Sequence, residues 1–144
     1  MIYAYALFLF IRKKNIIKTI IKQANNENID VSIIKSDKAD YVMKTNNKTY
    51  YLKIVLIKDN IDLQINNIDT WYGYNGSEAK KIKTPISFIH DSSINNKIII
   101  LARHAKTIKK VINESEMIMV KDETDVYNMH ILNYNQYSYL LKKD

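Results

Sequence analysis

The chain contains no cysteine, one proline and two glycines among its 144 residues. Without cysteine it has no disulfides, no thiolate metal sites and no cysteine nucleophile. The scarcity of proline and glycine excludes collagen-like, linker-rich and low-complexity chains. Hydrophobic residues make up 47% of the sequence and charged residues 26%, a composition typical of a globular protein with a buried core. The length predicts a single domain over residues 1–144.

Several motifs of enzyme families are also missing from the sequence. It contains no G-x-x-x-x-G-K-[ST], G-x-G-x-x-G or G-x-S-x-G pattern, so it does not support P-loop, dinucleotide-binding or α/β-hydrolase chemistry. The three histidines, His90, His104 and His130, show no ligand spacing, and we expect surface or hydrogen-bonded core histidines.

Positive charge is concentrated in the first part of the chain. The net charge is +7, and the isoelectric point is near 9.4. Residues 1–60 carry 11 basic and 5 acidic side chains, whereas residues 61–144 carry 11 and 10. Such an imbalance indicates an anionic partner, most often nucleic acid, and we expect DNA or RNA.

The first eleven residues form the most apolar run of the sequence. The run is too short for a bilayer span, which needs about 20 residues, and it lacks the basic start and cleavage site of a signal peptide. A buried strand is the favoured interpretation, and an interfacial anchor is the alternative. We therefore expect a soluble, cytoplasmic protein without membrane association.

Two segments have the pattern of β-α-β units. In each, an apolar strand precedes a helix with apolar residues at helical spacing, and a second short strand follows. The first unit comprises a strand over residues 1–11, a helix over 15–24 and a strand over 31–34; the second comprises residues 97–102, 103–112 and 117–120 in the same order.

A β-hairpin and further short strands lie outside these units. Residues 41–44 and 49–57 are strands joined at Asn46-Asn47, since asparagine tolerates the positive φ of a tight turn. Residues 63–65 continue the meander, and residues 129–132 form a last strand. The predicted fold is α/β: one mixed β-sheet with flanking helices, in the order βαβ, hairpin or meander, βαβ. Both βαβ units belong to one sheet with residues 98–101 at its centre.

The hairpin turn places Asp40 opposite Lys53 and Val42 opposite Tyr51. Lys53 lies in an otherwise apolar strand, where a lone ammonium needs a partner because desolvation is costly. Asp40 is the nearest candidate. One interpretation of the pair is a cross-strand ion pair that stabilises the hairpin.

A second interpretation comes from resemblance. Residues 39–53 resemble the core hairpin of the PD-(D/E)xK, or restriction-endonuclease-like, superfamily, in which an Asp opens one strand and an acid-x-Lys ends the next. The resemblance extends over residues 15–120, with a helix before the hairpin and a strand-helix-strand region after it. It implies a restriction-endonuclease-like fold, Mg²⁺-dependent nuclease activity, Asp40 as metal ligand and Lys53 as catalytic lysine.

Tyr51 departs from this family pattern, because it occupies the acid position. A phenol is a poor Mg²⁺ ligand compared with a carboxylate. Either the site is degenerate and binds no cofactor, or the acid has moved, with Glu27 and Asp62 as candidates, and the chain is an active Mg²⁺-dependent nuclease.

Aromatic and basic residues alternate in a segment that we interpret as a polar loop, residues 66–84. Stacking faces next to cations suit single-stranded nucleic acid. The predicted nucleic-acid-binding residues are Trp71, Tyr72, Tyr74, Lys80, Lys81 and Lys83. Alternatively, the aromatic rings pack beneath their own loop.

These observations lead to three functional hypotheses. The first is a nucleic-acid-binding protein with a degenerate nuclease site, in which Asp40 and Lys53 remain but Tyr51 has replaced the acid. The second is an active metal-dependent nuclease with a migrated acid. The third is a protein-interaction module of the phage or mobile-element type, acting as an inhibitor or assembly subunit.

Overall fold

The computed structural model describes residues 2–142, so Met1 of the predicted first strand and the last two residues of the predicted domain lie outside it. Within this range the chain forms one mixed α/β domain with two sheets. Its helices are α1 (Ile2–Asn26) and the short α2 (Ile86–Ile89), and a 3₁₀ turn (Tyr137–Tyr139) follows the last strand. The strands are β1 (Ser32–Lys35), β2 (Tyr41–Lys44), β3 (Thr49–Val55), β4 (Ile61–Ile65), β5 (Trp71–Asn75), β6 (Glu78–Ile82), β7 (Lys97–Leu101), β8 (Ala105–Asn113), β9 (Glu116–Met119) and β10 (Met129–Asn133).

The two sheets have five strands each. The first sheet has the order β1-β2-β3-β7-β10, in which β2 is antiparallel to both neighbours and β3, β7 and β10 are parallel. The second sheet has the order β6-β5-β4-β8-β9, and only its central pair, β4 and β8, is parallel. The second sheet is thus built from the connections between the parallel strands of the first.

The domain has three layers: α1, the first sheet and the second sheet. Between α1 and the first sheet lies a core that includes Ile16, Ile20, Leu52, Ile98 and Ile100. Between the two sheets lies a second core that includes Val55, Leu63, Trp71, Ile99 and Ile131. The first sheet is therefore covered on both faces, whereas one face of the second sheet is open.

The strand expected at residues 1–11 is wrong, because from Ile2 onward this run is the first part of α1. The helical spacing of Ile16, Ile17, Ile20 and Ala24 extends backwards to Lys13, so one helix continues through both segments. Alanine and leucine in the run favour a helix as well. Within residues 3–11 every residue except the partly buried Leu9 is also exposed.

The helix expected at residues 103–112 is also wrong, because this segment is mostly β8. Its β-branched residues, Thr107, Ile108, Val111 and Ile112, lose side-chain freedom in a helix and fit a pleated strand. Neither βαβ unit therefore exists, and the helices that were to flank a single sheet are replaced on one side by a second sheet.

The remaining strand predictions are mostly confirmed. Residues 98–101 lie in β7, which is buried along its whole length between β3 and β10. Residues 63–65 lie in β4, but this strand belongs to the second sheet instead of extending the meander. The loop predicted over residues 66–84 is wrong, since it contains the hairpin of β5 and β6.

Candidate nucleic-acid interface and the Asp40 cluster

The hairpin of β2 and β3 has the register that the sequence predicts. Val42 pairs with Tyr51, and Met43 pairs with Tyr50. The turn lies at Asn46-Asn47, but it does not use the left-handed backbone expected there: the positive-φ residues within 2–142 are elsewhere in the chain. The register places Asp40 just before β2, beside the end of β3.

The Asp40 carboxylate is held by groups from two elements. Its Oδ1 accepts a hydrogen bond from Lys13 Nζ of α1 at 2.8 Å and lies 3.7 Å from Lys53 Nζ of β3. Its Oδ2 accepts a hydrogen bond from the Ile54 backbone N–H at 2.7 Å. The Asp40 side chain is only 13% exposed. Asp40 thus ties α1 to the hairpin and uses both oxygens to do so.

The geometry does not suit a bound Mg²⁺ ion. A cation at Asp40 would lie next to the Lys13 ammonium, and Tyr51 offers a phenol where a second carboxylate is needed. Tyr51 packs instead against the core between the sheets. Burial raises the pKa of the neighbouring Tyr41 phenol, and the Asp40 charge raises it further, which favours the protonated form of Tyr41.

The two candidate replacement acids lie away from Asp40. Glu27 follows α1 and accepts a hydrogen bond from Gln23, and it is 14 residues from Lys13, or about 21 Å along a helix axis. Asp62 lies on the open face of the second sheet and accepts a hydrogen bond from Thr107. Within residues 2–142, no group of three His, Asp or Glu side chains is arranged to hold a metal.

The predicted aromatic set is divided by the alternation of β5. Trp71 is fully buried in the core between the sheets, so its indole is not available to stack on a base. Tyr72 and Tyr74 point to the opposite, open face and are partly exposed. The interpretation of this segment as a loop missed the division, because side chains alternate between two faces only in a strand.

One of the two tyrosines on the open face, Tyr72, lies in a row that has a lysine at each end. Tyr72 lies between Lys81 of β6 and Gln64 of β4, and Gln64 in turn pairs with Lys109 of β8. Across four strands the row therefore reads lysine, tyrosine, glutamine, lysine. In the neighbouring row, Tyr74 lies beside Asp62, whose charge is directed to Thr107.

A cavity of about 240 Å³ opens at the edge of the same hairpin. Lys80 lies on the other side of β6 from Lys81 and is within 3.9 Å of Glu78, and both of these side chains are largely exposed. Four lysines are among the residues that line the cavity: Lys58, Lys80, Lys81 and Lys83. The predicted lysines of this segment thus surround the hairpin edge, while Tyr72 and Tyr74 lie on its open face.

Two histidines have partners inside the fold. His90 Nε2 contacts the Asp69 carboxylate. His130 Nδ1 lies 3.0 Å from the Asp122 carbonyl oxygen, and His130 Nε2 lies 3.2 Å from the Tyr139 hydroxyl. His90 is exposed and His130 is partly buried, in line with the expected surface or hydrogen-bonded core histidines.

Sequence reasoning missed Lys13 and Lys109. Lys13 shares the buried face of α1, since it precedes Ile16, Ile17 and Ile20 at spacings of three, four and seven. The predicted helix begins at residue 15, so this spacing lies partly outside it. Lys109 was missed because its segment was interpreted as a helix.

No protein-family model, curated protein or solved structure matches this chain. The geometry of the Asp40 cluster and of the open tyrosine face is therefore what bears on function.

Proposed function

We propose that this protein binds single-stranded nucleic acid, or unpaired loops, on the open face of its second sheet, and that its restriction-endonuclease-like hairpin is catalytically degenerate. The observation that carries the proposal is the row Lys81–Tyr72–Gln64–Lys109 across four strands. Aromatic faces that stack on bases, with cations at either side for phosphates, are what single-strand recognition requires.

The restriction-endonuclease-like part of the proposal is supported by the hairpin and its surroundings. A helix precedes the hairpin, Asp40 and Lys53 come within 3.7 Å at its open end, and the parallel strand β7 pairs with β3. The strand-helix-strand region that the resemblance implies after the hairpin is absent from residues 97–120, where strands are found instead.

The charge around Asp40 supports the proposal of a degenerate site. Two ammonium groups and one backbone N–H satisfy a single carboxylate, so the cluster carries an excess of positive charge. Metal-dependent hydrolysis needs clustered anionic oxygens to hold the ion and activate water. The Asp40 cluster therefore stabilises the hairpin against α1, and catalysis is absent.

Binding is tested by fluorescence anisotropy with labelled oligothymidylate and oligouridylate at low salt. Wild type should bind, and Tyr72→Leu/Tyr74→Leu should bind at least about tenfold more weakly, because stacking contributes about 1–3 kcal/mol per base. Tyr3→Leu/Tyr5→Leu is the matched control, since both tyrosines are exposed on α1. Equal affinity of the two double variants would contradict the proposed face, and no binding by wild type would favour a protein partner.

Catalysis is tested with the same oligonucleotides and a duplex in Mg²⁺ or Mn²⁺. We expect the nucleic acid to remain intact with wild type. Divalent-dependent cleavage by wild type that is lost in Asp40→Ala and in Lys53→Ala would contradict the degenerate site and establish the active nuclease.

A further inference from the structure

The first turns of α1 leave the body of the protein with apolar side chains exposed. In residues 3–11, the apolar segment of α1, six of the seven large apolar side chains are exposed, from 41% for Phe8 to 90% for Tyr3, and Leu9 is partly buried. The core between α1 and the first sheet begins only at Ile16. Large apolar side chains are normally exposed singly, and a continuous segment of them marks an interaction surface.

Exposure in this segment extends around the helix. With 3.6 residues per turn, Tyr3, Leu7 and Ile11 share one side of the helix, Phe8 lies next to it and Tyr5 points to the far side, and all five are exposed. A partner protein or a second copy would cover one stripe of the helix. A segment that is apolar on most of its circumference fits an environment that is apolar on every side, such as a lipid layer.

Cations from three elements surround the base of the segment. Arg103, between β7 and β8, lies with its guanidinium carbon 5.0 Å from the centre of the Phe8 ring. Lys14 of α1 and Lys35 of β1 lie with their Nζ atoms 4.4 Å and 5.6 Å from the Phe10 ring centre. Such a collar of positive charge complements anionic lipid headgroups.

The described segment matches the depth of one leaflet. Nine residues extend about 14 Å along a helix, roughly half of a hydrocarbon core that is about 30 Å thick. No helix within residues 2–142 is long and apolar enough to cross a bilayer. Tyr3 and Tyr5 also favour the interfacial region, where an amphipathic ring meets both lipid and water.

We infer that residues 3–11 insert into one leaflet of a membrane that contains anionic lipid, with Lys14, Lys35 and Arg103 at the headgroups. The inferred membrane contact is independent of the nucleic-acid proposal, because α1 and the open face of the second sheet form opposite outer layers of the domain. The protein would be held at a lipid surface with its tyrosine face directed away from the α1 layer.

Insertion is tested by co-sedimentation of the full chain with vesicles of phosphatidylcholine, alone or mixed equally with phosphatidylglycerol. Wild type should sediment with the mixed vesicles. Leu7→Gln/Ile11→Gln should sediment at least tenfold less, because each buried methylene contributes about 0.8 kcal/mol. Ile112→Gln/Met117→Gln, at exposed apolar positions of the second sheet, is the matched control and should sediment like wild type. Thermal unfolding of each variant checks that it is folded.

The collar is tested separately with Lys14→Gln and Arg103→Gln. Each should weaken binding to the mixed vesicles about fivefold and leave binding to phosphatidylcholine unchanged, since one basic residue near an anionic surface contributes about 1 kcal/mol. If wild type does not bind vesicles and forms a dimer that Leu7→Gln/Ile11→Gln dissociates, the segment covers a second copy and the inference is wrong. The inference would also be wrong if wild type and Leu7→Gln/Ile11→Gln bind vesicles equally. It would be wrong as well if this double variant loses only its binding to oligonucleotides.

Discussion

The charged residues of the two sheets differ in what their side chains contact. In the first sheet, covered by α1 on one face and by the second sheet on the other, Asp40 is bound by Lys13 and Lys97 donates a hydrogen bond to the Ile89 carbonyl. On the open face of the second sheet, Lys81 and Lys109 instead flank a tyrosine. Under a covering layer a charged group therefore finds its hydrogen-bond partner within the fold, whereas on an open face it can meet a ligand.

Truncation in the covered sheet should have the largest effect. Ile100, in the centre of β7, is 2% exposed. Ile100→Ala should lower the free energy of unfolding by about 2–5 kcal/mol, because a cavity remains in a packed core. In urea denaturation, Ile112→Ala, at an exposed position near the end of β8, should change this free energy by less than about 0.5 kcal/mol. A loss of under about 1 kcal/mol for Ile100→Ala would place β7 at an exposed position and break the comparison.

Removal of the Asp40 carboxylate should have the next largest effect. Asp40→Ala leaves the Lys13 ammonium and the Ile54 N–H without their acceptor, and we expect a loss of about 1–3 kcal/mol. The double variant Asp40→Ala/Lys13→Met should recover part of this loss, because it also removes the stranded charge.

The exposed pair of Glu78 and Lys80 provides the control for Asp40. Glu78→Ala should leave the free energy of unfolding within about 0.5 kcal/mol of wild type, since exposed ion pairs contribute little. If Asp40→Ala and Glu78→Ala lower the free energy of unfolding equally in thermal or urea unfolding, the covered and the exposed charges contribute equally to stability.

A cation on the open face should affect binding instead of stability. Lys81→Gln should leave the urea midpoint nearly unchanged, but it should reduce the slope of log K against log salt by about 0.7 for a single strand. Lys22→Gln, at an exposed position of α1, should leave that slope as it is in wild type. An unchanged slope in Lys81→Gln would separate Lys81 from the nucleic-acid interface.

The smallest effect should come from Lys97, whose pKa is lowered from its ordinary value of 10.5 by burial, despite the opposing influence of Asp91. The native state loses this proton at a lower pH than the unfolded chain does, so raising the pH toward 10.5 favours the native state. Relative to Lys97→Met, wild type should therefore gain stability as the pH rises over this range. If the free energies of unfolding of wild type and Lys97→Met differ by the same amount at every pH in this range, burial does not penalise the Lys97 charge.

Local patterns predicted the hairpin and the buried strand well. Tyr41–Lys44 and Thr49–Val55 alternate around a short polar turn, so their register follows from the turn itself. Residues 98–101 are apolar on both faces, which indicates a strand covered on both sides. The proximity of Asp40 and Lys53 followed from these local features.

The remaining differences arise where the pattern suits more than one structure. The apolar run at residues 3–11 is compatible with a buried strand or a helix, and its helical form depends on continuity with Ile16 and Ile20. Trp71 and Tyr72 are adjacent in the sequence. Only the alternation of a strand places Trp71 in the core and Tyr72 on the open face. The second sheet could not be predicted because its central pairing joins β4 to β8, which are distant in the sequence.

We propose that nucleic acid binds the open face of the second sheet and that the Asp40 cluster is structural. Chemical-shift mapping of backbone amides during titration with oligothymidylate tests both parts at once. We expect the perturbed amides to lie in β4, β5, β6 and β8 around Tyr72, with those of Lys13, Asp40 and Lys53 unchanged. Perturbations centred on Asp40 and Lys53, with the Tyr72 face unaffected, would contradict both the proposed binding face and the structural role of Asp40.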